Sequence, residues 1–124
     1  MKNGYSLIEL MIVVAIIAII SSIAIPAYNG YIRESKYSAA LASIDTMKVF
    51  LEDYRLENSG YVSQATMTEA QILTNYGWSP RDNDSPFTFS IKSGSTTTYT
   101  IVATHSDGET VVECNESGTC TYTP

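Results

Sequence analysis

From Leu7 to Ile25 the chain carries only three polar residues, Glu9, Ser21 and Ser22. About 20 apolar residues cross the hydrocarbon core of a bilayer as a helix, so this run is long enough to span one. Beyond Pro26 the pattern changes. Ala40, Ile44, Met47, Leu51 and Tyr54 recur at steps of four and three, a narrow apolar stripe, while Asp45, Glu52 and Asp53 fall off it. A proline inside a helix removes one backbone hydrogen bond and kinks the helix rather than necessarily ending it. The pattern therefore predicts one helix from about Tyr5 to Glu57, kinked at Pro26 and roughly 80 Å long at 1.5 Å per residue. Asn58-Ser59-Gly60 is expected to end it, with Gly60 supplying a left-handed exit.

Tyr61 to Pro86 reads as a connection. Thr68-Glu69-Ala70-Gln71 matches a capping box, and Ala70, Ile72 and Leu73 suit a short helix behind it. Asn75 to Pro80 is rich in turn residues, with Tyr76 and Trp78 expected to plug against a core. Arg81 to Pro86 is polar and expected at the surface. The rest reads as strand. Phe87 to Ile91 alternates, a turn over Lys92–Thr96 contains Gly94, and Thr97 to Thr104 is rich in Thr and Val. Asp107-Gly108 signals a two-residue hairpin, Thr110 to Cys114 returns, and Cys120 to Thr123 adds a short fourth strand. An antiparallel meander with Phe87 or Tyr99, Ile101, and Val111 or Val112 on its inner face is expected to cover the helix stripe. The class is α+β: a long N-terminal helix whose C-terminal half packs on a small antiparallel sheet.

Composition narrows the function. The 124 residues hold seven Lys/Arg against thirteen Asp/Glu, a net charge of −6. That balance argues against direct nucleic-acid binding, which rests on neutralising phosphates with Lys and Arg. Two cysteines, Cys114 and Cys120, suit one disulfide made outside the cytoplasm, worth about 2 kcal/mol by loop entropy. With the single His105 they fall short of a zinc site, and no metal or other cofactor is implied. Asp82-Asn83-Asp84 lacks the rest of a calcium loop. His105 reads as a solvated loop residue, and its neighbours Ser106 and Asp107 cannot converge on it as a catalytic triad does. No phosphate loop, dinucleotide fingerprint or metalloprotease motif is present.

Glu9 needs its own account, since a carboxylate at mid-bilayer costs roughly 2.5–3.5 kcal/mol on insertion scales and less near the interface. In one reading the run is a simple anchor or signal peptide and Glu9 snorkels to the near surface. A cleavable signal fits poorly, because its apolar region spans 7–15 residues before a small-x-small site. In the other reading the chain is cut before the run. Gly4-Tyr5-Ser6-Leu7-Ile8-Glu9 resembles the processing and methylation motif of the type IV pilin superfamily. Two departures stand out: Tyr5 replaces the usual Phe, and the leader has one basic side chain, Lys2, so that the start lies upstream of Met1 or a weak positive-inside signal suffices.

The resemblance implies a leader over residues 1–4, a transmembrane and filament-core helix over 5–27, and a globular head over 28–124, the pilin "lollipop". It implies that a prepilin peptidase cuts after Gly4 and methylates the new amine of Tyr5, and that Pro26 is the helix-kinking proline. It further implies that Glu9 attracts the N-terminal amine of a neighbouring subunit. Partners would be copies of the chain or other pilins in a helical filament, the assembly machinery, and the inner membrane before extraction to the cell surface. Adhesion, motility and DNA uptake are the functions such a filament serves. Tyr28, Tyr31 and Tyr37 would pack at the membrane boundary and between subunits. Cys114 and Cys120 enclose a loop much shorter than the adhesive disulfide loop common in pilins. The rival readings are a type II secretion pseudopilin and a membrane-anchored periplasmic binding module that never polymerises; an enzyme is not expected.

Overall fold

The computed structural model describes residues 3–81 and 86–124. Helix α1 spans Leu7–Asn58 with Pro26 inside it, close to the expected limits. The chain forms two compact units, Met1–Ser35 and Lys36–Pro124. The first is the N-terminal part of α1 and the residues before it, and it includes a stretch long and apolar enough to cross a membrane.

The second unit is α+β. After α1 come β1 (Thr66–Thr68), α2 (Glu69–Tyr76), β2 (Phe87–Lys92), β3 (Thr100–His105), β4 (Val111–Asn115) and β5 (Cys120–Thr123). The strands form one antiparallel sheet in sequential order. Period-two alternation sends every second side chain inward. Two rows of cross-strand neighbours result. Met67, Ile91, Ile101, Cys114 and Cys120 make one; Phe89, Ala103, Val112 and Tyr122 make the other. Against them pack Ala40, Ile44, Met47 and Leu51 of α1, each fully buried. The expected stripe thus faces the sheet, with Tyr54 half-buried at its end. The inner face settles the open choices: Phe87 and Tyr99 are both buried, and Val112 points inward rather than Val111.

Several expectations need correction. The exit from α1 is left-handed at Ser59, with φ 60°, and not at Gly60. Gly60 is needed for space instead, because a Cβ there would lie 3.0 Å from the Thr96 carbonyl oxygen, close to where Tyr61 N–H donates to that oxygen at 2.9 Å. β1 adds a fifth strand to the four expected, since three residues are too few to show alternation. The β3–β4 connection is longer than two residues: His105 N–H donates to Thr110 O at 2.9 Å across it, with Gly108 at φ 76°. Tyr37 belongs to the second unit, where its ring meets Tyr122 of the same chain at 5.1 Å.

Residues 61–80 are a packed layer and not a bare connection. α2 begins at the predicted capping box, where Thr68 N–H donates to Gln71 Oε1 at 2.9 Å, and it ends on Gly77 at φ 76°. The aromatics plug as expected. Trp78 is 2% exposed, stands edge-on to Phe89, and donates its indole N–H to Thr46 Oγ1 at 3.1 Å. Tyr76 Oη accepts the Val62 N–H at 2.9 Å.

The tightest point lies where residues 64 and 65 meet the β2–β3 loop. A Cβ on Gly94 would fall 2.2 Å from the Gln64 carbonyl oxygen, and Gly94 N–H already donates to Ala65 O at 3.1 Å. Backbone on both sides leaves nothing flexible to yield. Gly94→Ala should therefore destabilise the head by about 1–3 kcal/mol, as overpacking does. Thermal unfolding of the detergent-solubilised chain checks this; an unchanged midpoint would show that the loop has room.

Candidate functional site

Two regions carry polar chemistry, one in each unit. At the start of α1, Ser6 and Glu9 bond reciprocally. Ser6 N–H donates to Glu9 Oε2 at 2.8 Å and Glu9 N–H donates to Ser6 Oγ at 3.3 Å. This is a capping box, which satisfies two of the donors a helix leaves unpaired at its first turn. The Glu9 carboxylate also sits at the positive end of the helix dipole. The Ser-x-x-Glu spacing ahead of an apolar run is the sequence signal for this cap. Behind it, the large side chains from Leu7 to Ile25 are 51–78% exposed. Tyr5 is 93% exposed, and a side chain at Gly4 would meet nothing within 4 Å. The fold itself places no steric demand for glycine at position 4.

In the second unit the densest polar cluster centres on Asp107, in the β3–β4 connection. Its carboxylate accepts the Thr110 N–H at 2.8 Å, the Thr110 hydroxyl at 2.8 Å and the Glu109 N–H at 2.9 Å, and Lys36 Nζ of α1 approaches to 3.1 Å. The Thr110 backbone bond, followed by the Thr110 hydroxyl, the Glu109 amide and Lys36, holds this carboxyl well below the usual aspartate range against the opposing effect of burial. His105 is the last residue of β3 and not a solvated loop residue. Its ring stands edge-on to Phe87 at 5.0 Å, and its Nδ1 lies 3.1 Å from the Asp107 N–H that donates to it. Asp107 thus clasps the hairpin to α1.

Ion pairs engage other cations of the head. Arg55 meets Glu52 at 2.8 Å and Lys92 meets Glu113 at 2.6 Å. Glu52 also accepts the Tyr61 hydroxyl, which with Arg55 keeps its carboxyl below the usual range. Burial pushes the Tyr99 hydroxyl up to about 12. A shallow groove on the outer side of α1 is lined by Lys48, Val49, Glu52, Asp53 and Leu56. Among the described residues no three His, Cys, Asp or Glu side chains converge as metal ligands do. Asp82-Asn83-Asp84 lies outside the described residues.

Cys114 and Cys120 stand directly opposite each other on β4 and β5 and are joined by a disulfide. Glu9 belongs to the first unit and this pair to the second.

Comparison with known proteins decides the family. The family described as "Type IV minor pilin ComP, DNA uptake sequence receptor" matches residues 26–119, most of the chain. The chain belongs to this family of type IV pilins. A second family, the prokaryotic N-terminal methylation motif, matches residues 1–25. Among curated proteins, a fimbrial protein of Pseudomonas aeruginosa is 41% identical over 70 residues, 56% of this chain and 46% of that protein. The type IV major fimbrial protein FimA of Dichelobacter nodosus is 47% identical over 53 residues, 43% of this chain and 33% of that protein. The pilin therefore spans at most about half the length of these curated relatives.

In this pilin the Asp107 clasp makes a pH prediction. Its carboxyl is held below the ordinary range when folded, so below about pH 4 the unfolded chain takes up a proton that the folded chain refuses. The stabilisation is present above that point and lost as pH falls. Wild type should lose thermal stability between pH 4.5 and 2.5 more steeply than Asp107→Asn, which starts lower. Parallel slopes in a melting series across this range would remove Asp107 from the acid response.

Proposed function

We propose that this chain is a structural, non-enzymatic subunit of a type IV pilus. It is held in the inner membrane by α1, processed between Gly4 and Tyr5, then assembled through helix–helix packing into a surface filament. The observation that carries the reading is the apolar stretch Leu7–Ile25, exposed on every side with a single acid, Glu9, near its start. Such a surface needs lipid or other helices around it. A prepilin peptidase, the assembly machinery and other pilins are the partners this route requires. The absence of any packing demand at Gly4 supports its being read by an enzyme from outside, for which a residue without a side chain permits close backbone approach.

Glu9 is proposed to serve twice. In the single chain it caps its own helix; in the filament it pairs with the amine of Tyr5 on a neighbouring copy. Two opposite charges inside a helical bundle attract strongly, and removing one leaves the other unpaired at a cost. Substitutions separate the roles. Glu9→Gln keeps an oxygen for the Ser6 N–H but loses the charge, whereas Ser6→Ala weakens the cap and keeps the charge. Electron microscopy of sheared filaments should find few or none from Glu9→Gln cells and near wild-type numbers from Ser6→Ala cells, with both chains processed and membrane-bound. Wild-type filaments from Glu9→Gln would refute charge pairing. Mass spectrometry of the mature N-terminus should show N-methyl-Tyr5; an intact Met1 or a cut beyond Ala27 supports a non-polymerising anchor instead.

A second reading, that the head itself receives DNA, is favoured by the description of the family. The charge opposes it. Setting aside Lys2, Arg33, Glu9 and Glu34 of the first unit, the seven basic and thirteen acidic residues reduce to five and eleven in the head. Three of those five, Lys36, Arg55 and Lys92, sit in ion pairs. Binding of a labelled DNA duplex to the purified chain should be undetectable at 150 mM salt. Micromolar binding that weakens steeply as salt rises would favour the receptor reading.

A further inference from the structure

At the tip of the β4–β5 hairpin, Asn115-Glu116-Ser117 is an Asn-x-Ser tripeptide, the acceptor pattern for N-linked glycans in chains that reach an extracytoplasmic surface. The side chain of Asn115 is held in one orientation. Its Oδ1 accepts the Ser117 hydroxyl at 2.8 Å and the Thr119 N–H at 2.9 Å. A backbone N–H can only donate, so the atom facing Thr119 is the oxygen, and Nδ2 takes the other direction. No hydrogen bond engages Nδ2 among the described residues. Residues 116–119 are exposed, and the disulfide places the loop in an oxidising compartment.

The geometry points to Asn115 as an N-glycosylation site. The donor is a glycan linked to a polyprenyl diphosphate, and a transferase supplies the base. A bond forms between Nδ2 and the anomeric carbon, and the bond from that carbon to the diphosphate oxygen breaks. The electron pair leaves with the polyprenyl diphosphate, and one Nδ2 proton passes to the base. Both donors on Oδ1 draw density from the amide and ease loss of that proton. The tripeptide Asn83-Asp84-Ser85 offers a second acceptor by sequence and lies outside the described residues. It is followed by Pro86 and has Arg81 two residues before it, where Asn115 has Glu113.

The inference rests on the proposed function only in placing the head outside the cytoplasm; filament assembly is not required. The test produces the full chain in a Gram-negative host supplied with a bacterial oligosaccharyltransferase and its lipid-linked glycan, beside a secreted control of known acceptor sequence. Peptide mass spectrometry across Cys114–Cys120 should find the glycan on Asn115 in wild type and in Asn83→Gln. The glycosylated fraction should fall at least tenfold in Asn115→Gln and Ser117→Ala. Ser117→Ala keeps the Thr119 bond, so its loss with the disulfide intact cannot come from misfolding. An unmodified Asn115 beside a modified control, or a glycan on Asn83 or a hydroxyl instead, would overturn the assignment. Glu9→Gln chains should be glycosylated as wild type is, which separates this result from any failure to form filaments.

Discussion

An apolar surface that its own chain does not cover governs this molecule. Between Leu7 and Ile25 the large side chains are more than half exposed, and burying each is worth about 1.5–3 kcal/mol relative to water. Lipid can supply that burial, and so can other helices. The hydrophobic effect does not choose between them, because lipid tails are as apolar as leucine. Packing and polar pairing must make the choice. Glu9 is the acidic residue in the run, and the pairing proposed for it is one that lipid could not supply. Its reciprocal bonds to Ser6 lower the cost of carrying it while the chain is alone.

The same helix obeys a different rule after Lys36. There only one stripe is apolar, and the sheet supplies what covers it. The inner rows of the sheet explain how a small head holds together. Ala103 opposite Phe89 and Val112 leaves volume for the larger ring, and Cys114 ends the other row with a covalent tie to β5. Beyond the rows, side chains do the joining. The Trp78 indole reaches Thr46 of α1, and the Asp107 carboxylate gathers two backbone amides, a hydroxyl and Lys36. Surface ion pairs alone contribute little, so the amide bonds to Glu109 and Thr110 hold the hairpin itself, and Lys36 adds a weaker tie to α1.

What could be read in advance followed from periodicity. Four of the five stripe residues are fully buried because a 3.6-residue repeat has one helical solution. Strand limits were near because Thr- and Val-rich alternation has a period of two. The family could be read from six residues, Gly4 to Glu9. What could not be read depends on contacts distant in sequence. Gly60 and Gly94 looked like turn residues, yet each makes room for a backbone carbonyl from another segment. β1 exists because β2 offers it an edge, and nothing in Thr-Met-Thr says so. His105 looked solvated because its neighbours are polar, whereas the ring it meets is eighteen positions earlier, on Phe87. The Ser6–Glu9 cap is legible in the Ser-x-x-Glu spacing, and the same glutamate also falls in the stretch that resembles the processing motif.

The charge pattern bears on how a head of this family can meet DNA. Association with a duplex gains most of its free energy by releasing counterions from phosphates, one for each cation delivered. Here Lys92 lies across the sheet from Glu113, and Lys36 is drawn to Asp107, so each cation would bring its acid toward the phosphates. Breaking such a pair costs little at the surface, but the freed carboxylate then repels the polyanion. A cation offered with its own neutralising partner adds almost nothing to the field a phosphate feels at a Debye length of about 8 Å. The paired cations of this head therefore offer DNA little, and an electrostatic contact would fall to Lys48 and Arg81, against eleven acidic residues.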